Sequence, residues 1–392
     1  MGFEGRRQAQ VEGLDRVDAV TQSLLVVSGI YPPDHGGPAR FVPALAAAAV
    51  DRGWRVRVIT LGDVKDASVF VSADGQEVHT FPRAIPRAKR VPALVGAIAQ
   101  GLRESNALFT NGLYEEAYLA TRLVRRPWTA KVVGDPIWER ATNSGRTGAN
   151  IDAFQAEALP FGLNLQRRAL TLALRTANLV TTPSLQLSLM VERWNVPRPI
   201  VIPNGVPILD LSPANPDFDV VTVCRLVPWK GVDVLIEACT AEGLRLRIVG
   251  DGPLRHDLEQ LASELDPGSL VTFSGAVSPH KVRSIIESGR LFALNSSYEG
   301  MSFALLEAKE RAVPVVVGAN PGNSAVVRSG VDGLVVDPRS VSEVRGALSK
   351  LVDNPPLARS MGLAGRQDVI DRFSIQAATG STLDAIEATV GA

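Results

Sequence analysis

Short apolar runs typical of β-strands alternate with helix-like segments along this chain, and the alternation comes in two series. The first series opens with a predicted strand at residues 23–28, a loop rich in proline and glycine, a helix at 38–52 and a strand at 55–60. A strand–helix–strand unit indicates a parallel sheet covered by helices. Further strands of this series are predicted at 107–110, 130–133, 179–182 and 200–202.

A connector rich in proline and turns, residues 203–216, separates the two series. The strands of the second series are predicted at 220–223, 245–249, 270–273, 291–294, 313–317 and 333–336. A chain of 392 residues is long enough for two domains that each bury a core. We therefore predict an α/β protein with two Rossmann-like, doubly wound parallel-sheet domains, residues 21–203 and 204–375, facing each other across a cleft.

Residues 1–20 contain no apolar core, so they predict a disordered lead-in and not a secretory signal. The longest apolar runs, such as residues 41–50, are far shorter than a membrane span requires. The two cysteines, Cys224 and Cys239, lie in apolar segments, which argues against a disulfide framework or a zinc site. A reducing cytoplasm is the expected compartment.

The net charge is zero but unevenly divided. Residues 1–203 hold 24 Lys and Arg against 18 Asp and Glu, and the remainder holds 17 against 23. The most basic stretch, residues 82–103, combines four cations with an apolar helical pattern. It predicts either a helix that lies on an anionic membrane or, as the simpler alternative, a solvated helix packed on its own domain.

The stretch NSSYEGMSFALLEAKE, residues 295–310, holds Glu299 and Glu307 eight positions apart. It follows a predicted strand, and a helical run begins just after Gly300. Helix-start amides at Met301, Ser302 and Phe303 lack intrahelical partners and suit an anionic or hydroxyl-rich ligand. Upstream, Arg225 and Lys230 follow the first strand of the second series, so two cations and free amides are expected to meet where a diphosphate would bind.

The glutamate pair, together with the sequence Arg-Leu-x-x-x-Lys-Gly that begins at Arg225, resembles the family 4 retaining glycosyltransferases of the GT-B fold. The resemblance runs from about residue 24 to residue 373. It implies that Arg225 and Lys230 hold the phosphates of a leaving nucleotide, that Glu299 binds hydroxyls of the donor sugar, and that Glu307 binds the ribose. It also implies that a last helix, about residues 376–392, returns to brace the first domain.

The resemblance extends to the glycine-rich loops. Gly36 and Gly37 follow the first strand, before Pro38 at the predicted helix start, and would lie opposite the donor diphosphate. By motif alone they predict an ordinary tight turn equally well. The turns at Gly250, Gly252 and Gly275 would bring backbone close to the nucleotide, whose base would be held near Val277.

The segment KVVGDPIWER ends a predicted strand and so points into the cleft. Many family members have a histidine near this location, whereas this chain offers Asp135, followed by Trp138 and Glu139. Asp135 is predicted either to act in catalysis on a sugar hydroxyl or to cap the following helix. Trp138 is predicted to stack on an acceptor sugar or to be buried, and Glu139 to bind the acceptor.

No cofactor and no metal are expected. The chain has neither the dinucleotide-binding glycine pattern nor the phosphate loop of ATP-hydrolysing enzymes. The pair Asp217 and Asp219 has the spacing of a metal-binding motif, but it precedes a strand instead of following one, so we interpret it as part of the linker.

These residues predict a metal-independent transferase of class EC 2.4 that takes a nucleoside diphosphate sugar. Cations stabilise the departing diphosphate, and the resemblance implies same-face attack with the leaving phosphate accepting the acceptor's proton. A lipid-linked or cell-surface glycan is the first acceptor prediction, at the inner face of the membrane, and no nucleic acid is expected. A sugar-nucleotide epimerase of the same fold and a non-catalytic nucleotide-sugar-binding protein remain as alternatives.

Overall fold

The computed structural model describes residues 22–34, 36–72, 74–197, 199–211, 216–266, 268 and 270–391. The predicted lead-in at residues 1–20 and part of the predicted connector lie outside these ranges. The described chain forms two α/β domains, each built on its own sheet.

The first domain contains eight strands and seven helices within the described residues. Its strands are β1 (Ser23–Ser28), β2 (Arg55–Gly62), β3 (Ser68–Val71), β4 (Glu77–Pro82), β5 (Ala107–Asn111), β6 (Trp128–Lys131), β7 (Leu179–Thr182) and β8 (Ile200–Val201). Its helices are α1 (Gly37–Asp51), α2 (Arg87–Arg103), α3 (Tyr114–Val124), α4 (Pro136–Asn143), α5 (Ile151–Ala156), α6 (Phe161–Arg175) and α7 (Leu185–Arg193).

The second domain contributes six strands and, with the C-terminal segment, the remaining helices of the described chain. Its strands are β9 (Phe218–Val223), β10 (Leu246–Val249), β11 (Val271–Phe273), β12 (Gly289–Leu294), β13 (Val315–Gly318) and β14 (Leu334–Val336). The helices are α8 (Val232–Ala241), α9 (Arg255–Leu265), α10 (Pro279–Glu287), α11 (Phe303–Glu310), α12 (Pro321–Ser324), α13 (Val341–Val352), α14 (Pro355–Arg372) and α15 (Ile375–Val390), with a short 3₁₀ turn at Pro228–Lys230.

The strand order of both sheets reverses at one point. The first sheet runs β3-β4-β2-β1-β5-β6-β7-β8, and only β3 pairs antiparallel with its neighbour. The second sheet runs β11-β10-β9-β12-β13-β14 and is parallel throughout. Chain order reverses between β1 and β5 in the first sheet and between β9 and β12 in the second. In open parallel sheets, ligands bind at such switch points, outside the carboxyl ends of the strands.

The predicted strands are present with boundaries that shift by a few residues. β6 differs most, because it spans Trp128–Lys131 whereas residues 130–133 were predicted. The α2 helix packs the apolar side of its basic segment onto its own domain, where Leu94, Ile98 and Leu102 are fully buried. That apolar face is therefore not free to lie on a membrane, and the simpler of the two predictions for this segment describes it.

The C-terminal helix α15 packs against α1 of the first domain. Leu383 and Ile386 of α15 are fully buried in a cluster with residues of α1 and of the first sheet. At the helix ends, Arg52 donates a hydrogen bond to Asp384 at 2.7 Å. The two ends of the described chain thus share one core.

Contacts cross the boundary between the domains directly. Asn204 donates a side-chain hydrogen bond to the carbonyl of Met301 at 3.1 Å. A side chain at Gly300 would collide with the carbonyl oxygen of Val133 in the first domain, so this close approach requires glycine. Among the described helices, none is both long and apolar enough to cross a bilayer.

Candidate active site

Loops from the two switch points meet at the candidate site. Gly36 and Gly37 follow β1, and Asn111 ends β5. From the second domain, Arg225 and Lys230 follow β9 and Glu299 follows β12. The strand order explains why residues far apart in the sequence converge here, since each loop leaves a strand beside a reversal point.

Two adjoining cavities lie between the domains. The smaller, of about 290 Å³, is lined by residues of both domains and of the segment between them, including Phe41, Asn111, Asn204 and Gly300. The larger, of about 640 Å³, reaches the second sheet at Val249, Gly250 and Val277. Residues common to both walls are Gly37, Glu139, Arg225, Lys230, Glu299, Met301 and Phe303.

Lys230 and Glu299 form an ion pair between the two switch-point loops of the second domain. The same oxygen of Glu299, Oε1, accepts a hydrogen bond from Ser296 at 2.7 Å. The Arg225 side chain is exposed and forms no ion pair with any residue that the structure describes. The cavities therefore present a guanidinium without a carboxylate partner next to a lysine that already has one.

Glu139 enters the same space from the first turn of α4. Its carboxyl lines both cavities and accepts no hydrogen bond from the described part of the chain. Burial raises the pKa of Glu139 to about 7, with a further increase from Asp135, whereas Lys230 and Arg225 act in the opposite direction. A carboxyl group is thus poised to change charge near neutral pH.

Three further side chains that line the smaller cavity have buried polar atoms without a hydrogen-bond partner among the described residues. These are Asn111 Nδ2, Asn204 Oδ1 and the hydroxyl of Tyr298. Buried polar groups are normally paired, so unpaired atoms around one cavity indicate groups that a ligand or water satisfies. Sequence reasoning missed Asn111 and Tyr298, although both end or follow strands at the switch points.

Glu307 is paired across the domain boundary. Its Oε1 accepts a hydrogen bond from Arg40 of α1, and Oε2 is buried without a partner among the described residues. Burial raises the pKa of Glu307, and Arg40 opposes this rise. Arg40 lines the larger cavity whereas Glu307 stands behind it. Arg40 was not predicted from the sequence.

The predicted glycine loops divide into two groups. Gly36, Gly37 and Gly250 line the larger cavity, together with Val277. Gly252 and Gly275 do not, because Gly252 packs against the backbone of Leu226 and Gly275 lies beside Arg255. Among the predicted helix-start residues, Met301, Ser302 and Phe303 line the larger cavity and Gly300 the smaller.

The structure corrects the catalytic assignment of Asp135. This side chain is fully buried and accepts hydrogen bonds from the amides of Ile137, at 2.9 Å, and Trp138, at 3.2 Å, which makes it the N-cap of α4. It also pairs with Arg167 of α6. Asp135 lines neither cavity, so the helix-capping alternative describes its role.

The structure also corrects the prediction that Trp138 stacks on an acceptor sugar. The indole is 2 % exposed, and its nitrogen donates to the carbonyl of Ala149 at 2.9 Å. The ring packs between Trp229 and Tyr298 of the second domain, with ring centres 4.8 and 5.0 Å away. Trp138 therefore belongs to an aromatic contact between the domains, and its faces are already occupied.

Asp219 of the predicted linker pair lies in β9. It accepts a hydrogen bond from the amide of Arg245 at 2.9 Å and pairs with Arg290. No group of three or more potential metal-ligating side chains occurs among the residues that the structure describes.

Comparison with known proteins assigns both domains to one class of enzymes. Residues 211–368 match the family model for glycosyl transferases group 1, and residues 36–205 match that of the glycosyl transferase 4-like domain. The chain belongs to the group 1 glycosyltransferases. The two matches meet at the segment between the domains, so a single glycosyltransferase unit accounts for both sheets.

Three similar proteins place this glycosyltransferase among its relatives. It is 35 % identical over 160 residues to a GDP-mannose-dependent alpha-(1-6)-phosphatidylinositol monomannoside mannosyltransferase from Mycobacterium tuberculosis, a match that covers 38 % of this chain and 42 % of that protein. The match therefore spans less than half the length of that relative. Sucrose-phosphate synthase from Thermosynechococcus elongatus has the same fold, with a TM-score of 0.76 and 22 % identity over 93 % of this chain and 98 % of that one. HepE from Anabaena, solved with UDP and glucose, gives a TM-score of 0.73 with 20 % identity over 93 % and 99 %. These two structures are of the GT-B fold, which the sequence predicted and this structure confirms.

Proposed function

We propose that this protein is a configuration-retaining, metal-independent glycosyltransferase that moves a sugar from a nucleoside diphosphate sugar to a hydroxyl acceptor. The observation that carries the proposal is the convergence of Arg225 and Lys230 with Glu299 on two joined cavities at facing switch points. The mannosyltransferase relative is named for a GDP-mannose donor, and HepE was solved with UDP and glucose. Both are consistent with a nucleotide sugar as donor.

The larger cavity suits the nucleoside diphosphate. Its wall includes the carboxyl end of β10 at Val249 and Gly250, and the loop at Ala276 and Val277, so backbone groups are available to a base and a ribose. The amino-terminal end of α1 and the cations Arg225 and Lys230 face the same space and suit phosphates. The smaller cavity, with its unpaired polar atoms, then takes the sugar.

Charge explains how this arrangement promotes transfer. Breaking the bond between the anomeric carbon and the diphosphate leaves negative charge on the phosphate. Arg225 and Lys230 are fixed beside that position and stabilise the charge without a metal ion. Glu299, held by Lys230 and Ser296, is oriented to bind hydroxyls of the donor sugar. We expect the protein to work in the cytoplasm, where its two free cysteines stay reduced.

We further propose a glycan or lipid-linked acceptor and contact with an anionic membrane, through a surface formed by α3 and α6. These helices pack against each other, and their outward sides carry exposed apolar side chains between arginines. Phe161 is 86 % exposed and Leu123 is 68 % exposed. The remaining members of this α3–α6 face are Leu119, Leu165, Leu172, Arg122, Arg168 and Arg175.

The chemistry of the α3–α6 face fits an anionic bilayer. Apolar side chains that point away from the core insert at the interface, and arginines pair with lipid phosphates. No acidic side chain on α3 or α6 is exposed among the described residues, since Glu115 is half-buried and Glu116 is buried. The lipid-acting mannosyltransferase relative supports the same choice of acceptor.

Vesicle sedimentation tests the membrane contact. Wild type should sediment with phosphatidylglycerol vesicles and not with phosphatidylcholine, and Phe161→Ser with Leu165→Ser should abolish this. The control is Leu363→Ser, an exposed leucine of α14 on the second domain. Equal sedimentation of wild type and the double variant would contradict the proposal. Wild-type self-association lost in the double variant would assign the face to a second copy of the chain.

A donor panel tests the enzymatic activity. Uridine, guanosine and adenosine diphosphate sugars are added singly, and thermal shift and nucleotide release are measured. One nucleotide class should raise the melting temperature and be released slowly with water as the acceptor. Interconversion of the donor sugar without release would indicate an epimerase. Binding with no release under any acceptor would indicate a non-catalytic protein.

A further inference from the structure

The two cavities join along a wall that they share, and this inference rests on the proposed function. If the nucleotide lies in the larger cavity and the sugar in the smaller, the bond to be broken lies where they meet. Four charged side chains line both cavities, namely Arg225, Lys230, Glu139 and Glu299. Two cations and two carboxyl groups therefore surround the reacting atoms.

The two carboxyl groups at this junction are not equivalent. Glu299 is committed, because one of its oxygens accepts from both Lys230 and Ser296. Glu139 is uncommitted, because its carboxyl has no hydrogen-bond or ion-pair partner among the described residues. An unpaired carboxyl at the reacting bond is a group that substrate satisfies.

Tyr298 gives an independent sign that a ligand is expected beside Glu139. Its hydroxyl is buried without a partner, and its side chain lines the smaller cavity. A Cβ atom placed on Gly134 would lie 2.5 Å from Glu139 Oε1 and 3.5 Å from the Tyr298 hydroxyl, so both groups crowd the same glycine. The tight fit of Gly134 holds the Glu139 carboxyl toward the cavity.

The charges that face Glu139 come from four elements. Asp135 is in its own helical turn, Arg225 and Lys230 follow β9, and Glu299 follows β12. Tyr298 and, on α3, Tyr114 are the neighbouring phenols, and Glu139 contributes to raising the pKa of each. Burial, the largest cause, sets the pKa of Glu139 near 7, and a general base works best when its pKa is close to the operating pH.

We propose that Glu139 is a catalytic base, which binds the attacking acceptor hydroxyl and takes its proton. The acceptor oxygen forms a bond to the anomeric carbon, and the bond from that carbon to the phosphate oxygen breaks. The electron pair leaves with the diphosphate, beside Arg225 and Lys230. The proton of the hydroxyl passes to the Glu139 carboxylate and from there to solvent after product leaves. The resemblance alone implied that the leaving phosphate takes this proton.

The pH profile of Glu139→Gln tests this assignment. The donor identified by the panel is used with water as the acceptor, so that no acceptor need be known. Wild-type kcat/KM for the donor should rise with pH through about 7, because only the ionised carboxylate accepts a proton. Glu139→Gln should lower kcat by about 10² to 10⁴-fold and remove this rise, as expected for loss of a general base. Its Kd for the nucleoside diphosphate should stay within about twofold of wild type, which a merely misfolded variant would not achieve.

Two results would overturn the assignment. One is a Glu139→Gln variant that keeps the rise near pH 7 or turns over within about threefold of wild type. The other is formation of a glycosyl azide of inverted configuration by Glu139→Ala in azide, which would make Glu139 a nucleophile. The matched control is Glu157→Gln, an exposed carboxyl near α5 outside both cavities, which should behave as wild type. A wild type that releases no nucleotide from any donor would instead refute the proposed function, and the base with it.

Discussion

Lys230 is the residue on which the proposed charge stabilisation depends most directly. Its amine lines both cavities and is paired with Glu299, so it is fixed in place before substrate arrives. Removal of a preorganised charge partner of the transition state costs about 10² to 10³ in kcat. We therefore predict that Lys230→Ala lowers kcat for nucleotide release by at least about a hundredfold.

The control for this measurement is Lys350→Ala, because Lys350 is an exposed residue of α13 outside both cavities. It should retain wild-type turnover. Near wild-type turnover by Lys230→Ala itself would show that the lysine does not stabilise the leaving group.

Asp135 gives a prediction of the opposite kind, a loss of stability. Asp135→Ala removes the cap of α4 and leaves Arg167, a largely buried cation, without its carboxylate partner. Breaking a buried ion pair costs about 3 to 5 kcal/mol. Urea denaturation should show a loss of about 3 kcal/mol for Asp135→Ala. Asp135→Asn keeps an N-cap oxygen and should lose less. A strong loss of turnover with unchanged stability would restore the catalytic assignment.

The difference between Asp135 and Glu139 shows what sequence could reveal at this scale. Position at the end of a parallel strand correctly directed attention to the segment that holds both residues. Which of the two carboxyl groups faces the cavity depends on Arg167 and Gln155, both of which donate hydrogen bonds to Asp135 from later helices. No local pattern encodes that contact. By contrast, Arg225, Lys230 and Glu299 belong to local motifs and could be singled out from the chain alone.

Helices α1 and α11 are connected across the domain boundary by Arg40 and Glu307. Because the folded-state pKa of Glu307 is raised, the folded protein holds its proton more tightly than the unfolded chain does. Stability from this group is full below the ordinary pKa of a glutamate and is lost as pH rises through the raised value. Arg40 lessens this loss by favouring the ionised form.

We therefore predict that Arg40→Met makes stability fall more steeply as pH rises above about 4.3, the ordinary pKa of a glutamate. The measurement is the melting temperature from pH 4 to pH 8. Arg55→Met serves as the control, because Arg55 is exposed and has no ion pair among the described residues. Parallel pH curves for Arg40→Met and wild type would show that the contact does not act on Glu307.

Elements were more predictable than the surfaces they present. Strand and helix positions follow from the period of the apolar residues, and α2 was expected to be an amphipathic helix. Its apolar side could equally have met a bilayer or its own domain, and the choice depended on whether another element covered it. In the structure the cover is the first core, and the exposed apolar residues lie on α3 and α6 instead.

At the scale of the whole molecule, the function depends on two sheets with the same order of strand reversal. Each sheet directs loops to one edge, and the two edges face each other across the joined cavities. The sequence predicted both sheets and the cleft, because alternating strands and helices leave few topologies. It did not predict the aromatic contact of Trp138 with Trp229 and Tyr298, which depends on how the domains meet.

The central claim is that cations of the second domain, in place of a metal ion, neutralise the departing diphosphate. The direct measurement is the rate of nucleoside diphosphate release by wild type in EDTA, compared with the rate in Mg²⁺ or Mn²⁺. The account predicts rates within about twofold of each other, since Arg225 and Lys230 supply the charge that a metal supplies elsewhere. A loss of more than about tenfold in EDTA, restored by adding the metal, would contradict it.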